Sequence, residues 1–428
     1  MSIRNRGLFS IALEEEATGG EGVDSATIYG DGVAEAEVAA RDAEEEVQRD
    51  SEAADRIFDT VDEGIDDTET LDAVGGSLGE AADKEVGITD VGIAPVIIAT
   101  EALCRNLGLE RVNILPSLES FGSKSSSVTA TRMASVAIES VVSDAIATIK
   151  AMLVKAWEKL GKFMDGLVHL TETVVKVRIA KIRGAVKALP DDKDREEAKF
   201  KSPSVTRAFG LPSKRDVNPG CVKDVLKSHV GVGEAFTKLG AATTAFGSKV
   251  VEGAKSKKDS KEVDELYNAF MKDDFGHALS GAIGKDALVD GRRLDASGVK
   301  EDGTPDFKDE WAGKSVDEKD EVHAGTKAEL NDILKEIDVV IRTIASIRKS
   351  HADMKKGIVE DAKKIEGLKD LDKGAKKAVD TAYSKYYRTL GITSSDLAKL
   401  QMLAVNKGLE YVGRSVAARK GTGKADEK

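Results

Sequence analysis

The residues with the most definite chemical meaning are Ser117, Leu118, Glu119 and Ser120. Their order is a small residue, any residue, a glutamate and a second small residue. This is a pattern at which a Glu-specific protease hydrolyses the chain. Pro116 precedes them and a serine-rich stretch over residues 122–127 comes after them, so the segment resembles an exposed linker. Proteases act preferentially on such accessible segments. We therefore predict a cleavage site at Ser117, Leu118, Glu119 and Ser120, with the cut after Glu119.

The triplet alone has low specificity. It also occurs at other glutamates, among them Glu14, Glu21, Glu45, Glu101, Glu110 and Glu139. A different cut, more than one cut, or an ordinary interdomain linker at this position therefore stay open as alternatives.

A change of charge distinguishes Glu119 from the other glutamates. Residues 1–119 carry 29 acidic and 8 basic side chains, a net charge of −21, whereas residues 120–428 carry 47 acidic and 56 basic ones, a net of +9. Blocks of one sign are usually solvated or interaction segments rather than core. We predict that 1–119 is an acidic, partly disordered leader and a candidate propeptide, joined to a basic body.

Other patterns that could do chemistry are incomplete. The five histidines show no metal-binding spacing, and no Ser/His/Asp arrangement is evident. Gly231-Val232-Gly233 lacks the third glycine of a dinucleotide loop, and Gly421-Thr422-Gly423-Lys424 lacks the hydroxyl residue of a phosphate loop. His351 is predicted at the edge of the core. We therefore expect no enzyme activity, no catalytic residue, no metal, no cofactor and no small-molecule ligand.

Composition and periodicity predict a mainly α fold with long amphipathic helices in bundle or coiled-coil-like packing. Aromatic residues make up only 4% of the chain and charged residues 33%, which is typical of helical bundles. From Val142 to Val177, and again from Leu330 to Ile365, apolar residues recur every three or four positions. More than about half of the residues should be helical, with little or no sheet.

These patterns divide the chain after the leader into four segments. They are a basic helical domain over 120–258 with a long helix at about 130–189, a short helix plus turn-rich loop over 259–314, a C-terminal helical bundle over 315–418, and a disordered tail over 419–428. Within the leader, a helix is predicted over Val33–Thr60 and a flexible stretch over Asp62–Gly92. In the bundle, Ala375–Leu390 and Ser394–Ala418 are predicted as separate helices, and Ser315 and Thr326 begin capping-box patterns.

The long helix of the basic domain carries many cations. Residues 120–258 hold 25 basic and 14 acidic side chains, a net of +11. The ordinary interpretation is a solvated helix face, and the alternative is a surface that binds a polyanion. The residues predicted to face DNA are Lys150, Lys155, Lys159, Lys162, Lys176, Arg178, Lys181, Arg183 and Lys187.

The acidic leader, the Ser117-Leu118-Glu119 junction and the basic helical body together resemble the internal head proteins of giant tailed bacteriophages, the phiKZ-like group. The resemblance implies a virion structural protein, made in the host cytoplasm and located inside the capsid. It also implies that a prohead protease removes the leader after a glutamate. The implied partners are this protease, packaged double-stranded DNA bound without sequence preference, and other capsid or core proteins.

Two further classes of function compete with this interpretation. A prohead scaffold or assembly protein would act through helix–helix contacts without binding DNA. A membrane-surface protein would use the basic amphipathic segment Lys150–Leu189. If DNA is the partner, lysine and arginine bind its phosphates by counterion release, and a tethered acidic leader masks that surface by its high local concentration.

Overall fold

The computed structural model describes residues 34–109, 115–121, 124–190, 198–257, 259–300, 305–317, 320–368 and 371–422. The helices of these residues are α1 Ala34–Asp83, α2 Asp90–Leu107, α3 Lys124–Leu170, α4 Lys176–Lys187, α5 Pro203–Phe209, α6 Pro219–Phe246, α7 Ser260–Phe270, α8 His277–Ile283, α9 Lys327–Glu366 and α10 Lys373–Thr422. The strands are β1 Lys199–Lys201, β2 Arg292–Val299, β3 Pro305–Asp309 and β4 Glu321–His323. Helix accounts for 81% of the structure, which confirms the mainly α prediction.

The long helix predicted at about 130–189 is present and begins earlier. A π-helical turn, Thr171–Val175, joins α3 to α4, so the helical path runs from Lys124 to Lys187. The turn is stabilised by the Thr171 hydroxyl, which donates to the Leu167 carbonyl at 2.7 Å. The apolar residues of the three-four pattern, such as Val142 and Ile149, are buried.

The acidic segment differs most from its prediction. Helix α1 does not end near Thr60 but continues to Asp83, so the expectation of a flexible stretch is wrong for residues 62–83. The glycines that suggested flexibility serve close packing instead. A Cβ at Gly64 would lie 2.8 Å from Leu107 Cδ2, and one at Gly75 would lie 2.9 Å from Ile138 Cγ2. Residues 1–33 of the predicted leader lie outside the described residues.

At the C-terminus two long helices pack against the rest. Thr326 caps α9 with the predicted capping box, its hydroxyl accepting from the Glu329 backbone N–H at 3.3 Å. No helix begins at Ser315. Helix α10 is one continuous helix where two were predicted, and its Gly391 lies against the Phe58 ring of α1.

The predicted tail is partly helical, because α10 includes residues 419–422. Arg419 is buried and its guanidinium donates to the carbonyls of Gly325 at 2.6 Å and Ala324 at 3.2 Å. Residues 423–428 lie outside the described residues.

The segment 259–314 contains more regular structure than the predicted short helix and loop. It holds α7 and α8, joined by a π-helical segment over Met271–Gly276, and the antiparallel pair β2–β3, in which Arg292 lies opposite Asp309. A second antiparallel pair joins β1 to β4, with Lys199 opposite His323. These strands are short and lack an apolar alternation, which is why periodicity did not predict them. Among the described helices, none has the length and apolar character needed to cross a bilayer.

Candidate processing site and charged helix faces

The four residues of the predicted cleavage site form one exposed turn. Leu118–Phe121 is a short 3-10 helix that directly follows Ser117. Ser117, Leu118 and Glu119 are exposed and Ser120 is half-buried. The Ser120 backbone N–H donates to the Ser117 carbonyl at 2.9 Å. Phe121 is buried and fixes the end of the turn to the core. Opening this single turn would present Glu119 in the extended form that a protease requires.

Three of the other triplets lie in less accessible backbone. Ala43–Glu45 is part of α1, Ala99–Glu101 part of α2 and Ala137–Glu139 part of α3. Cleavage there requires the local unfolding of a long hydrogen-bonded helix, which costs more free energy than opening one exposed turn. Glu14, Glu21 and Glu110 lie outside the described residues. Compared with Glu45, Glu101 and Glu139, accessibility therefore favours Glu119.

The nine residues predicted to face DNA fall into two groups. Three have a carboxylate partner within the fold: Lys150 pairs with Asp380, Lys159 with Asp50 at 3.1 Å, and Arg183 with Asp338. The other six are Lys155, Lys162, Lys176, Lys181 and Lys187, which are exposed, and Arg178, which is half-buried beside Glu44. The first group contributes to the stability of the bundle, so any contact with DNA depends mainly on the exposed Lys155, Lys162, Lys176 and Lys187.

Sequence reasoning missed a row of ion pairs between α1 and α10. Asp55, Asp62 and Glu69 recur every seven residues and therefore lie on one face of α1. The pairs are Asp55 with Lys399 at 2.6 Å, Asp62 with Arg388, Glu69 with Lys385 at 2.6 Å, and Asp72 with Lys377. The seven-residue spacing of the acidic residues was the sequence signal that could have indicated this face of α1. Their basic partners are more than 300 residues away, so spacing alone gave no indication of the pairing.

Asp55 and Lys399 form the most buried of these pairs. Their side chains are 12% and 5% exposed, and the Ser395 hydroxyl donates to the other oxygen of Asp55 at 3.2 Å. Phe58, one turn along α1, is fully buried against Gly391 of α10. The acidic helix therefore combines a buried charge with apolar contacts, and part of the leader's negative charge is neutralised within the fold.

A buried histidine joins α6 to α10. His229 is fully buried, and its Nε2 accepts the Val289 backbone N–H at 3.1 Å. Its Nδ1–H therefore donates to Gln401 Oε1 at 2.9 Å. Gln401 Nε2 in turn donates to the His229 carbonyl and to Thr343. Burial lowers the pKa of His229 to about 4, partly offset by the Gln401 bond, so the ring is neutral at pH 7.

His351 is buried, whereas the prediction placed it at the edge of the core. Its ring stacks on Trp157 with centroids 5.2 Å apart. Burial, together with nearby Lys355, lowers the pKa of His351 to about 4. Among the described residues, no group of three or more histidine, cysteine, aspartate or glutamate side chains is arranged to bind a metal.

The two buried histidines predict a loss of stability in acid. Each has a pKa of about 4 in the folded protein and 6.5 as its ordinary value. Their contribution is fully present above pH 6.5 and is lost as the pH falls toward 4, by about 1.4 kcal/mol per pH unit for each ring. Urea unfolding at pH 7 and pH 5 measures this, and His229→Gln should reduce the decline. An equal decline in the variant would contradict the assignment to His229.

The glycines of the incomplete dinucleotide pattern have a packing role. Gly231 and Gly233 lie inside α6. A Cβ at Gly231 would lie 2.3 Å from the Ala282 carbonyl oxygen, and one at Gly233 would lie 2.5 Å from Thr343 Cβ. Close helix packing accounts for both glycines.

Comparison of the chain with known proteins identifies a family. A model of the phiKZ-like phage internal head proteins matches residues 42–417. The chain belongs to this family. It is therefore a structural protein of the phage head interior, and the resemblance inferred from the leader, junction and body is confirmed. The matched region includes most of α1 and its ion pairs with α10. No curated protein and no solved structure matches the chain significantly.

Proposed function

We propose that this internal head protein is a non-enzymatic precursor that is made in the host cytoplasm and cut by a prohead protease after Glu119. The mature form then lies beside packaged double-stranded DNA and other core proteins inside the capsid. The observation that carries the proposal is the exposed turn at Ser117–Ser120, placed where the chain changes from a net charge of −21 to +9. Cleavage at this turn separates the acidic segment covalently from the basic one.

The DNA contact is assigned to the exposed lysines of α3 and α4. Lys155, Lys162, Lys176 and Lys187 are exposed, and no ion pair joins them to another described residue. Lys155 and Lys187 are separated by roughly 48 Å along the helix, at 1.5 Å per residue. That length is comparable to about 14 base pairs of duplex. Such a row binds phosphates without reading sequence.

A prohead scaffold acting through helix–helix contacts is the second candidate. It is favoured by apolar side chains that α2 and α3 expose. Val91 and Ile98 are 78% and 68% exposed, and Met133 and Val136 are 59% and 62% exposed. Isolated exposed apolar residues are common, but several on neighbouring helices are typical of protein contact surfaces.

The proposed cut after Glu119 predicts a polypeptide with a specific N-terminal residue. Mass spectrometry of purified particles should find a polypeptide that begins at Ser120, and Glu119→Gln should abolish that end, because a glutamate-specific protease requires the carboxylate. The matched control is Glu101→Gln, which changes the same triplet pattern inside α2 and should leave the Ser120 end unchanged. Particles containing only chains that are uncut at Glu119 would contradict the proposed cut.

The acidic helix is expected to weaken DNA binding by its electrostatic field. Glu46, Glu63 and Asp66 are exposed on α1, so replacing them by Gln, Gln and Asn leaves the core unchanged. At low salt this triple variant of the whole chain should bind DNA about threefold to tenfold more tightly, and the difference should disappear at about 1 M salt. Fluorescence anisotropy measures both affinities. Equal affinities at low salt would show that α1 does not mask the surface.

A further inference from the structure

We infer that the N-terminal piece stays bound after the cut at Glu119, as an acidic helical partner seated on α3 and α10. This inference rests on the proposed processing and concerns the fate of the two pieces once the bond is broken. The mature particle would then contain a two-chain protein. The interaction surface is the face formed by α3 and α10, and its partner is the α1–α2 segment of the same precursor.

Apolar contacts hold the segment in place. From α1, Phe58 and Val61 are fully buried, and from α2, Ile93 and Leu103 are fully buried. Burial of large apolar side chains is the main favourable contribution to association and folding. Hydrolysis of the peptide bond after Glu119 breaks none of these contacts.

The fit between the two pieces is close, because glycines allow the helices to approach. A Cβ at Gly391 of α10 would lie 2.1 Å from Phe58 Cζ. A Cβ at Gly166 of α3 would lie 2.7 Å from Val47 Cγ2. Side chains from α1 therefore occupy the space that glycines leave on both partner helices. Such complementary packing is characteristic of protein interiors rather than of temporary contacts.

Hydrogen bonds also join the N-terminal piece to α3, and they do not involve the peptide bond after Glu119. The Ser127 hydroxyl donates to the Ile88 carbonyl at 2.6 Å, and the Ile88 backbone N–H donates to the Thr131 hydroxyl at 3.0 Å. The Ser135 hydroxyl donates to the Gly75 carbonyl at 2.8 Å. These bonds satisfy backbone groups of the N-terminal piece with side chains of α3, which lies beyond Glu119.

Charge favours the same arrangement. The row of pairs from Asp55–Lys399 to Asp72–Lys377 gives the acidic piece a defined register on α10. A buried polar pair contributes more to register than to net affinity, because desolvation offsets much of its attraction. The apolar contacts should therefore keep the pieces together even at high salt, where exposed ion pairs are screened.

The test uses the whole chain with a recognition sequence for a site-specific protease inserted between Glu119 and Ser120. After complete digestion, the two pieces should elute together in size-exclusion chromatography at 0.15 M and at about 1 M salt, and should separate only when denaturant unfolds the protein. Elution of the N-terminal piece by itself in native buffer would overturn the inference.

Two variants identify the surface responsible. Phe58→Ala should weaken the association of the digested pieces on the order of a hundredfold, because it removes the side chain seated on Gly391. Glu63→Gln, exposed on the same helix, should leave it unchanged. Equal effects of the two would show that the pieces are held elsewhere than on this face.

Retention of the N-terminal piece can be tested separately from the proposed cleavage after Glu119. Digestion at the inserted site measures retention whether or not the phage protease uses Glu119. In particles that contain the Ser120 end, peptides from residues 43–119 should be present in equal molar amount to peptides from the body. Their absence from such particles would overturn retention while leaving the processing proposal intact.

Discussion

Replacement of Asp55 by alanine is expected to lower the free energy of unfolding by about 3–5 kcal/mol. The reason is the burial of its partner: the Lys399 side chain is only 5% exposed, so removing the carboxylate leaves an uncompensated ammonium group between α1 and α10. The Ser395 hydroxyl loses its acceptor as well. Urea unfolding followed by circular dichroism measures the change.

Two controls distinguish the effect of burying the Asp55–Lys399 charges from the effect of simply having charged residues in this row. Asp72→Ala removes another carboxylate of the same row, but its side chain is 43% exposed, so the expected cost is about 0–1 kcal/mol. The double replacement Asp55→Leu with Lys399→Met removes both charges and should restore stability to near that of the parent, because neither desolvation penalty remains. Equal costs for Asp55→Ala and Asp72→Ala would contradict the description of a buried pair.

Reversal of the four exposed lysines of α3 and α4 is expected to have the largest effect on DNA binding. Changing Lys155, Lys162, Lys176 and Lys187 to glutamate should reduce affinity on the order of a hundredfold or more at low salt. It should also reduce the slope of log K against log salt by about 0.9 for each lost phosphate contact. Unrelated DNA sequences should be affected alike. Fluorescence anisotropy at several salt concentrations measures affinity and slope together.

The matched control reverses four exposed lysines elsewhere. Lys227, Lys261, Lys272 and Lys285 lie on or beside α6, α7 and α8 and are exposed, so their replacement by glutamate changes the net charge equally. A loss confined to the first set locates the DNA surface on α3 and α4. Equal losses in the two variants would show that DNA binding depends only on the net charge of the protein. Absence of DNA binding by the parent protein would favour the scaffold alternative.

The positions of the helices are largely a local property of this sequence. The three-four spacing of apolar residues predicted the helix at about 130–189 and the helix of 327–366, and the Thr326 capping box marked the start of the latter. Local composition also indicated the exposed turn at Ser117–Ser120, since proline and a serine-rich stretch flank Glu119. Periodicity works here because each helix buries one face along its length.

Glycine shows the limit of local reasoning. Gly75 lies in the stretch predicted to be flexible and Gly391 lies between two predicted helices, because glycine weakens an isolated helix. In the structure each lies inside a long helix, where the absence of a Cβ allows Ile138 or Phe58 to approach the backbone. The free energy gained by this packing outweighs the local propensity, and it depends on residues that are distant in the chain.

The sequence by itself determined the fold class, the opposite charges of the two parts and the position of the exposed junction between them. Only the tertiary structure decided that residues 34–83 of the acidic segment form a helix packed in the bundle, and which cations pair with its carboxylates. Composition and periodicity depend on near neighbours. The pairing of Asp55 with Lys399, across 344 residues, depends on how α1 packs on α10. That packing is a balance of apolar burial and desolvation between segments that no local spacing connects.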